Sequence, residues 1–188
     1  MEPDINKARR SFIISTAGMT TALVVVGASG CKGNSMNDRQ LQFSSLAAAE
    51  TELARLAQSN GLASDATWSW AQTLVHCAQS IEYSMSGFPQ SKSKLFQRTV
   101  GSVAFGVFSW RGRMTHDLAD PIPGAPMLDA RAEPTQALER LRSSILNFQR
   151  WSGSLQPHFA YGALDKKAYE FAHAMHLANH LSAFHAQN

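Results

Sequence analysis

Residues 165–185 read DKKAYEFAHAMHLANHLSAFH, a run free of Gly and Pro in which histidines recur at helical spacing. Asp165 is placed to cap a helix here, because its carboxylate can accept the backbone N–H groups that a first turn leaves unpaired. His176 and His180 are at i and i+4, so on a helix both imidazoles lie on one face, close enough to hold one metal ion. His173 precedes them on roughly the same face, and the helix is expected to continue to about His185. Five of the seven histidines fall between His158 and His185. In a chain with 16% charged residues, that clustering points to chemistry.

Helical periodicity extends upstream, and strand signals are scarce. Phe43 to Gln58 places Leu46, Leu53 and Leu56 on one side, with Ser59-Asn60-Gly61 as a stop. Asp65 or Thr67 can cap a second helix that runs to about Ser86, whose stripe of Trp70, Leu74, Cys77, Ala78, Ile81 and Met85 reads as core. Ser93 to Trp110 reads as a further helix weakened by Gly101 and Gly106. A loop with Pro121, Pro123, Gly124 and Pro126 follows. Glu133-Pro134 then opens a helix with Leu138, Leu141, Ile145 and Phe148 on one face, ending near Gly153. Four main helices joined by loops, one of them long and Pro-rich, define an all-α fold of the helix-bundle type.

Two histidines on one helix need a third ligand from elsewhere, and His76 on the second helix is the candidate. On a helical wheel it lies almost opposite the Leu74 stripe, beside Gln72 and Tyr83, so it faces either solvent or a polar cavity. The wheel alone favours solvent. A metal site and histidines that serve only the surface or core both remain open at this point, since no Glu supplies the zinc-protease signature. Asp117 and Asp129 could reach such a site only if their loop folded back. Tyr83, Tyr161 and Arg111 are further pocket candidates, each more readily read as structural.

The stretch Trp68-Ser69-Trp70-Ala71-Gln72-Thr73-Leu74-Val75-His76 resembles the Trp-to-His stretch of DinB-like proteins. The run from His158 through MHLANHLSAF resembles the closing helix of the same superfamily, in its branch called domain-of-unknown-function family 1569, which also carries a Pro-rich loop. The resemblance covers roughly residues 40 to 186. It implies a DinB-like four-helix bundle that holds a divalent transition metal (Zn, Ni, Mn or Fe) with three histidines, here His76, His176 and His180. It turns His76 inward, against the wheel, and makes His173 and Asn179 groups that orient ligands or substrate. Asn179 departs from many relatives, which have a further histidine there. Some DinB-like relatives are hydrolases, and others activate a small thiol.

The N-terminus reads as an address. Lys7, Arg9 and Arg10 precede an uncharged stretch, Phe12 to Gly30, and Cys31 follows Ala28-Ser29-Gly30, the pattern cut by a lipoprotein signal peptidase. Arg9-Arg10-Ser11-Phe12-Ile13 resembles the twin-arginine export signal. Residues 1–30 are therefore expected to be a cleaved signal, 31–42 a lipidated Cys31 and its tether, and 43–188 the helical domain. The expected location is the periplasmic side of a bacterial envelope, membrane-attached through lipid on Cys31. Cys77 then has no partner for an intrachain disulfide and reads as a small core residue.

Formal net charge is +3, and it is +2 once Lys7, Arg9, Arg10, Glu2 and Asp4 are removed with the signal. No basic patch with interleaved aromatics stands out, so nucleic-acid binding has no support. A small-molecule substrate and a second copy of the chain remain open as partners. Two functions compete: a metal-dependent hydrolase or thiol transferase, and a non-catalytic lipoprotein that binds metal or a protein. The missing sequence-local base favours the second, and folded export of a loaded cofactor favours the first.

Overall fold

The computed structural model describes residues 39–187, so the expected export signal, Cys31 and the tether up to residue 38 lie outside the described residues. The described chain is mostly helical. Helix α1 (Leu46–Ala57) is capped by Ser45, whose hydroxyl accepts from Ala48 N at 3.3 Å. It buries Leu46, Ala49, Leu53 and Leu56, one face of a 3.6-residue period. Helix α2 (Trp70–Ser86) begins at Ser69, not at Asp65 or Thr67 as the sequence suggests. Ser69 Oγ accepts from Gln72 N while Gln72 Oε1 accepts from Ser69 N, a reciprocal box that satisfies two donors at once.

The segment after α2 is one helical run in three parts: α3 (Lys94–Phe96), a π-helical turn Gln97–Gly101, and α4 (Ser102–Arg111). The π turn lets Gln97 reach the tight 158–162 turn, where its Nε2 donates to Phe159 O at 3.2 Å. Val100, Val103, Val107 and Trp110 line the outer side of this run in water, Val103 at 66% and Trp110 at 86% exposure. Helix α5 (Pro134–Arg150) has Pro at its first turn, where the missing N–H costs nothing, and stops three residues short of Gly153.

Helix α6 (Lys166–Leu181) starts at Asp165, whose Oδ1 accepts from Ala168 N at 2.7 Å. It ends at Leu181, which corrects the expectation of a helix to His185. Instead β2 (Phe184–Gln187) pairs antiparallel with β1 (Gly61–Ser64), placing Ala63 opposite His185. The chain prefers this because a distant strand satisfies backbone groups that a fraying helix end would leave to water.

Helix α2 lies along α5 and also meets α6, while α1 lies along α6. The shared core holds Leu46, Leu53, Leu74, Ile81, Leu141, Phe148, Tyr169 and Leu177, each buried large side chain contributing about 1.5–3 kcal/mol. Cys77 is buried there as a free thiol, whose pKa burial pushes up. At the α2–α5 seam Glu82 accepts two bonds from Arg140 and one from Ser144. Residues 39–41 are pinned to the end of α6: Arg39 Nη2 donates to Leu181 O at 2.9 Å and Leu41 N to Ser182 Oγ at 2.8 Å. Among the described residues no helix is long and apolar enough to cross a membrane.

Two glycines in the α3–α4 run should respond oppositely to alanine. A Cβ on Gly101 would collide with the Ala160 carbonyl oxygen, whereas one on Gly106 meets nothing within 4 Å. Gly101→Ala is expected to lower unfolding free energy by about 2–3 kcal/mol, the scale of a forced backbone shift. Gly106→Ala should raise it by about 0.5–1 kcal/mol through helix propensity alone. Urea unfolding of the two variants measures both signs.

Candidate metal centre

The site lies where α2 meets α6. His176 and His180, one turn apart on α6, face His76 on α2, and their ligand-capable nitrogens all lie within 4.8 Å of one another. Ring centres are 5.0 Å apart for His76 and His176, 4.8 Å for His76 and His180, and 4.7 Å for His176 and His180. His76 is only 2% exposed, so the solvent-facing position read from the wheel is corrected. Helix α2 is covered on both sides, and its polar face closes a cavity instead of meeting water.

Two observations test whether these residues fit a cation. His76 Nε2 and His176 Nε2 are 3.2 Å apart. Two nitrogens each ~2.0–2.1 Å from one tetrahedral ion would lie about 3.3–3.4 Å apart, so the pair is already near the separation an ion needs. His180 Nε2 is buried with no hydrogen-bond partner among the described residues, as is His76 Nδ1. An orphaned buried nitrogen costs about 1–3 kcal/mol, a cost that coordination of His180 Nε2 would remove. The donor set of three neutral imidazoles suits a divalent transition metal.

Neutrality follows from the surroundings. Burial pushes the His76 pKa down to about 3, and the neighbouring His116 adds to this. His176 and His180 are held well below the usual histidine range by burial first and by their imidazole neighbours next. Each therefore presents the unprotonated form that a metal requires. Trp68 closes one side, its ring stacked on His180 at 6.1 Å and tilted over His76 at 4.8 Å.

His116, which sequence reasoning missed, also packs against the cluster. Its ring lies 5.1 Å from His176 and 5.0 Å from His180. The Pro-rich loop does fold back, but Asp117 contributes its backbone carbonyl to His116 Nδ1 at 2.8 Å. Asp129 turns instead to Arg131, at 3.8 Å. Burial lowers the His116 pKa, against which Asp117 and Asp120 act to raise it. The one signal in the sequence is that His76 and His116 are the only histidines outside the 158–185 cluster.

His173 and Asn179 bond to none of the three histidines. His173 Nε2 is 3.2 Å from Ser84 Oγ, a hydroxyl that itself donates to Ile81 O, so the imidazole N–H donates. Asn179 Nδ2 donates to His116 O at 3.3 Å and so ties the loop to α6. His158 accepts at Nδ1 from Ala160 N and Tyr161 N, which leaves its proton on Nε2. Burial takes His158 and His173 to about 3. Tyr161 stacks on His158 at 4.2 Å, and burial pushes its phenol up to about 12.

A cavity of about 370 Å³ adjoins the cluster, lined by His76, His116, His158, His173 and His176 with Lys92, Asp120, Met114, Ile122, Phe159 and Tyr161. It is at the small end of the range for small-molecule pockets. Asp120, and not Asp117 or Asp129, is the carboxylate that reaches it. Tyr83 packs against Phe88 and Arg111 is exposed at the end of α4; neither lines the cavity.

Residues 35–187 match the sequence profile of the family described as "Protein of unknown function (DUF1569)", and the chain belongs to that family. No curated protein and no solved structure matches the chain.

The neutral histidines predict acid lability. His76, His158, His173, His176 and His180 bind protons when unfolded, near pH 6.5, but not when folded. The unfolded state therefore holds more protons below that pH, and stability falls as pH falls. Each histidine removes about 1.4 kcal/mol per pH unit, against a total of about 5–15 kcal/mol for a typical domain. Metal-free protein should unfold cooperatively with a midpoint near pH ~5, measured by circular dichroism, where a chain without buried histidines persists to lower pH.

Proposed function

We propose that this chain is a lipid-anchored envelope protein whose DinB-like four-helix bundle, formed by α1, α2, α5 and α6, binds one divalent transition metal through His76, His176 and His180 and acts on a small molecule. The observation that carries this reading is the convergence of three buried, uncharged imidazoles from two helices on one point beside a cavity. A divalent ion there would supply Lewis-acid chemistry, lowering the pKa of a water or a thiol.

The chain's own residues would do the rest. His158, with its proton held on Nε2 by two backbone donors to Nδ1, is a fixed hydrogen-bond donor at the cavity wall. Asp120 and Lys92 place one charge of each sign at the cavity, to orient a polar substrate or to take up a proton. Met114, Ile122 and Phe159 give it an apolar side that excludes water. His173 and Asn179 would act at one remove, His173 by filling the wall between Ser84 and Tyr169 and Asn179 by holding the loop.

The membrane attachment rests on Cys31 and the stretch before it. The outward stripe of Val100, Val103, Val107 and Trp110 is where a second copy of the chain would pack. A second reading, a bundle that binds metal without catalysis, is favoured by one observation: Asp120 is itself exposed, so no buried carboxylate stands beside the triad.

Elemental analysis of the purified protein tests the centre. About one equivalent of a divalent metal is expected, lost in His76→Ala and His176→Ala and retained in His158→Ala. Equal loss from all three, or metal in none including the wild type, rejects the triad. Hydrolysis or thiol-transfer activity that tracks metal content separates catalyst from binder. For the anchor, Cys31→Ser should move the protein out of the membrane fraction and abolish incorporation of labelled fatty acid.

A further inference from the structure

His116 is carried on the loop between α4 and α5, far in sequence from the three histidines of the proposed centre. Its ring nevertheless sits 5.1 Å from His176 and 5.0 Å from His180, just outside the group of ligand nitrogens within 4.8 Å of one another that His76, His176 and His180 form. Two hydrogen bonds hold it there, and both have a chemical meaning. The first runs from Nδ1 to Asp117 O at 2.8 Å. A carbonyl oxygen only accepts, so the proton is on Nδ1 and Nε2 keeps its lone pair. Donation of one ring N–H to a backbone carbonyl, with the other nitrogen free, is how metal-ligating histidines are commonly oriented. Among the described residues none of the triad histidines makes such a bond, and His76 Nδ1 is buried without any.

The second bond comes from Asn179 Nδ2 to the His116 carbonyl at 3.3 Å. Asn179 lies between His176 and His180 on α6, so the helix that carries two ligands also clamps the backbone that carries His116. Trp68 also covers the cluster, with its ring 4.8 Å from His76 and 6.1 Å from His180.

We propose that His116 is a fourth ligand to the ion held by His76, His176 and His180, delivered by the loop. The proposal rests on the metal reading above and goes beyond it. Four imidazoles would supply the ligand number of a closed zinc site, leaving no position for an outside ligand. Three of these ligands stand on packed helices, and the fourth stands on a loop fixed by two hydrogen bonds. His116 is therefore the ligand whose departure would open a coordination position toward the cavity, which it also lines. Substrate entry and loop position would then be one event.

Histidine side-chain nitrogen NMR of the full chain, titrated with zinc, tests this directly on the wild type. Four imidazoles, His116 among them, should shift to metal-bound positions at one equivalent. Three shifted imidazoles with His116 unmoved would overturn this inference and leave the triad standing. No shifted imidazole would overturn both. His116→Ala gives a second reading: zinc affinity should fall more than about a hundredfold, beyond the upper end of what a mere hydrogen-bond partner of a ligand is worth. The cobalt-loaded variant should bind azide where the cobalt-loaded wild type does not. Unchanged affinity and unchanged azide response would refute the fourth ligand.

Discussion

His76 Nε2 and His176 Nε2 face each other at 3.2 Å in a region from which water is nearly excluded, with His180 one helical turn away and its Nε2 unpaired. Uncompensated polar nitrogens in such a place oppose folding, so the surrounding structure must hold them against that tendency. It does so with the apolar faces of α2 and α6 and with the helices that back them. Leu74, Cys77 and Ile81 on one side of α2 pack into the core, and His76 and Ser80 on the other side line the cavity. The same helix thus faces the core on one side and the cavity on the other.

The cavity's remaining walls come from segments with no regular structure of their own. The 158–162 turn is closed by a bridge between His158 and Gly162 and is seated on the π-helical turn through Gln97. Gly101 allows the Ala160 carbonyl to approach a helix more closely than a side chain would permit. The α4–α5 loop returns over the site through Met114, His116, Asp120 and Ile122 and is tied to α6 by Asn179. The cavity is thus walled by loops carried on a helical frame.

Charge is handled locally. Glu82 with Arg140, Glu50 with Arg142, and Glu52 with Arg39 and Arg55 form pairs outside the cavity. Such pairs, exposed or half-buried, contribute modestly to stability, so the core of Leu, Ile, Phe and Ala carries most of the fold. The stripe of Val100, Val103, Val107 and Trp110 stands apart from that core on the outer side of the α3–α4 run.

Much of this was legible in the residues because it is local. Apolar periodicity located α1, α2 and α5, the Asp165 cap located the start of α6, and the i, i+4 spacing of His176 and His180 placed both rings on one face before any packing was known. The family match likewise follows from residues in order along the chain. What remained illegible depends on distant partners. A wheel turned His76 toward water because it cannot know that α6 covers that face. Nothing around His116 marks it, since its approach to His176 is set by the return of a long loop and a side chain sixty-three residues away. His185 sits on a strand because β1 supplies backbone partners from the far end of the chain. Spacing within a helix is dictated by backbone geometry and can be read from sequence; proximity across helices and loops is decided by the sum of weak packing terms that only the folded chain evaluates.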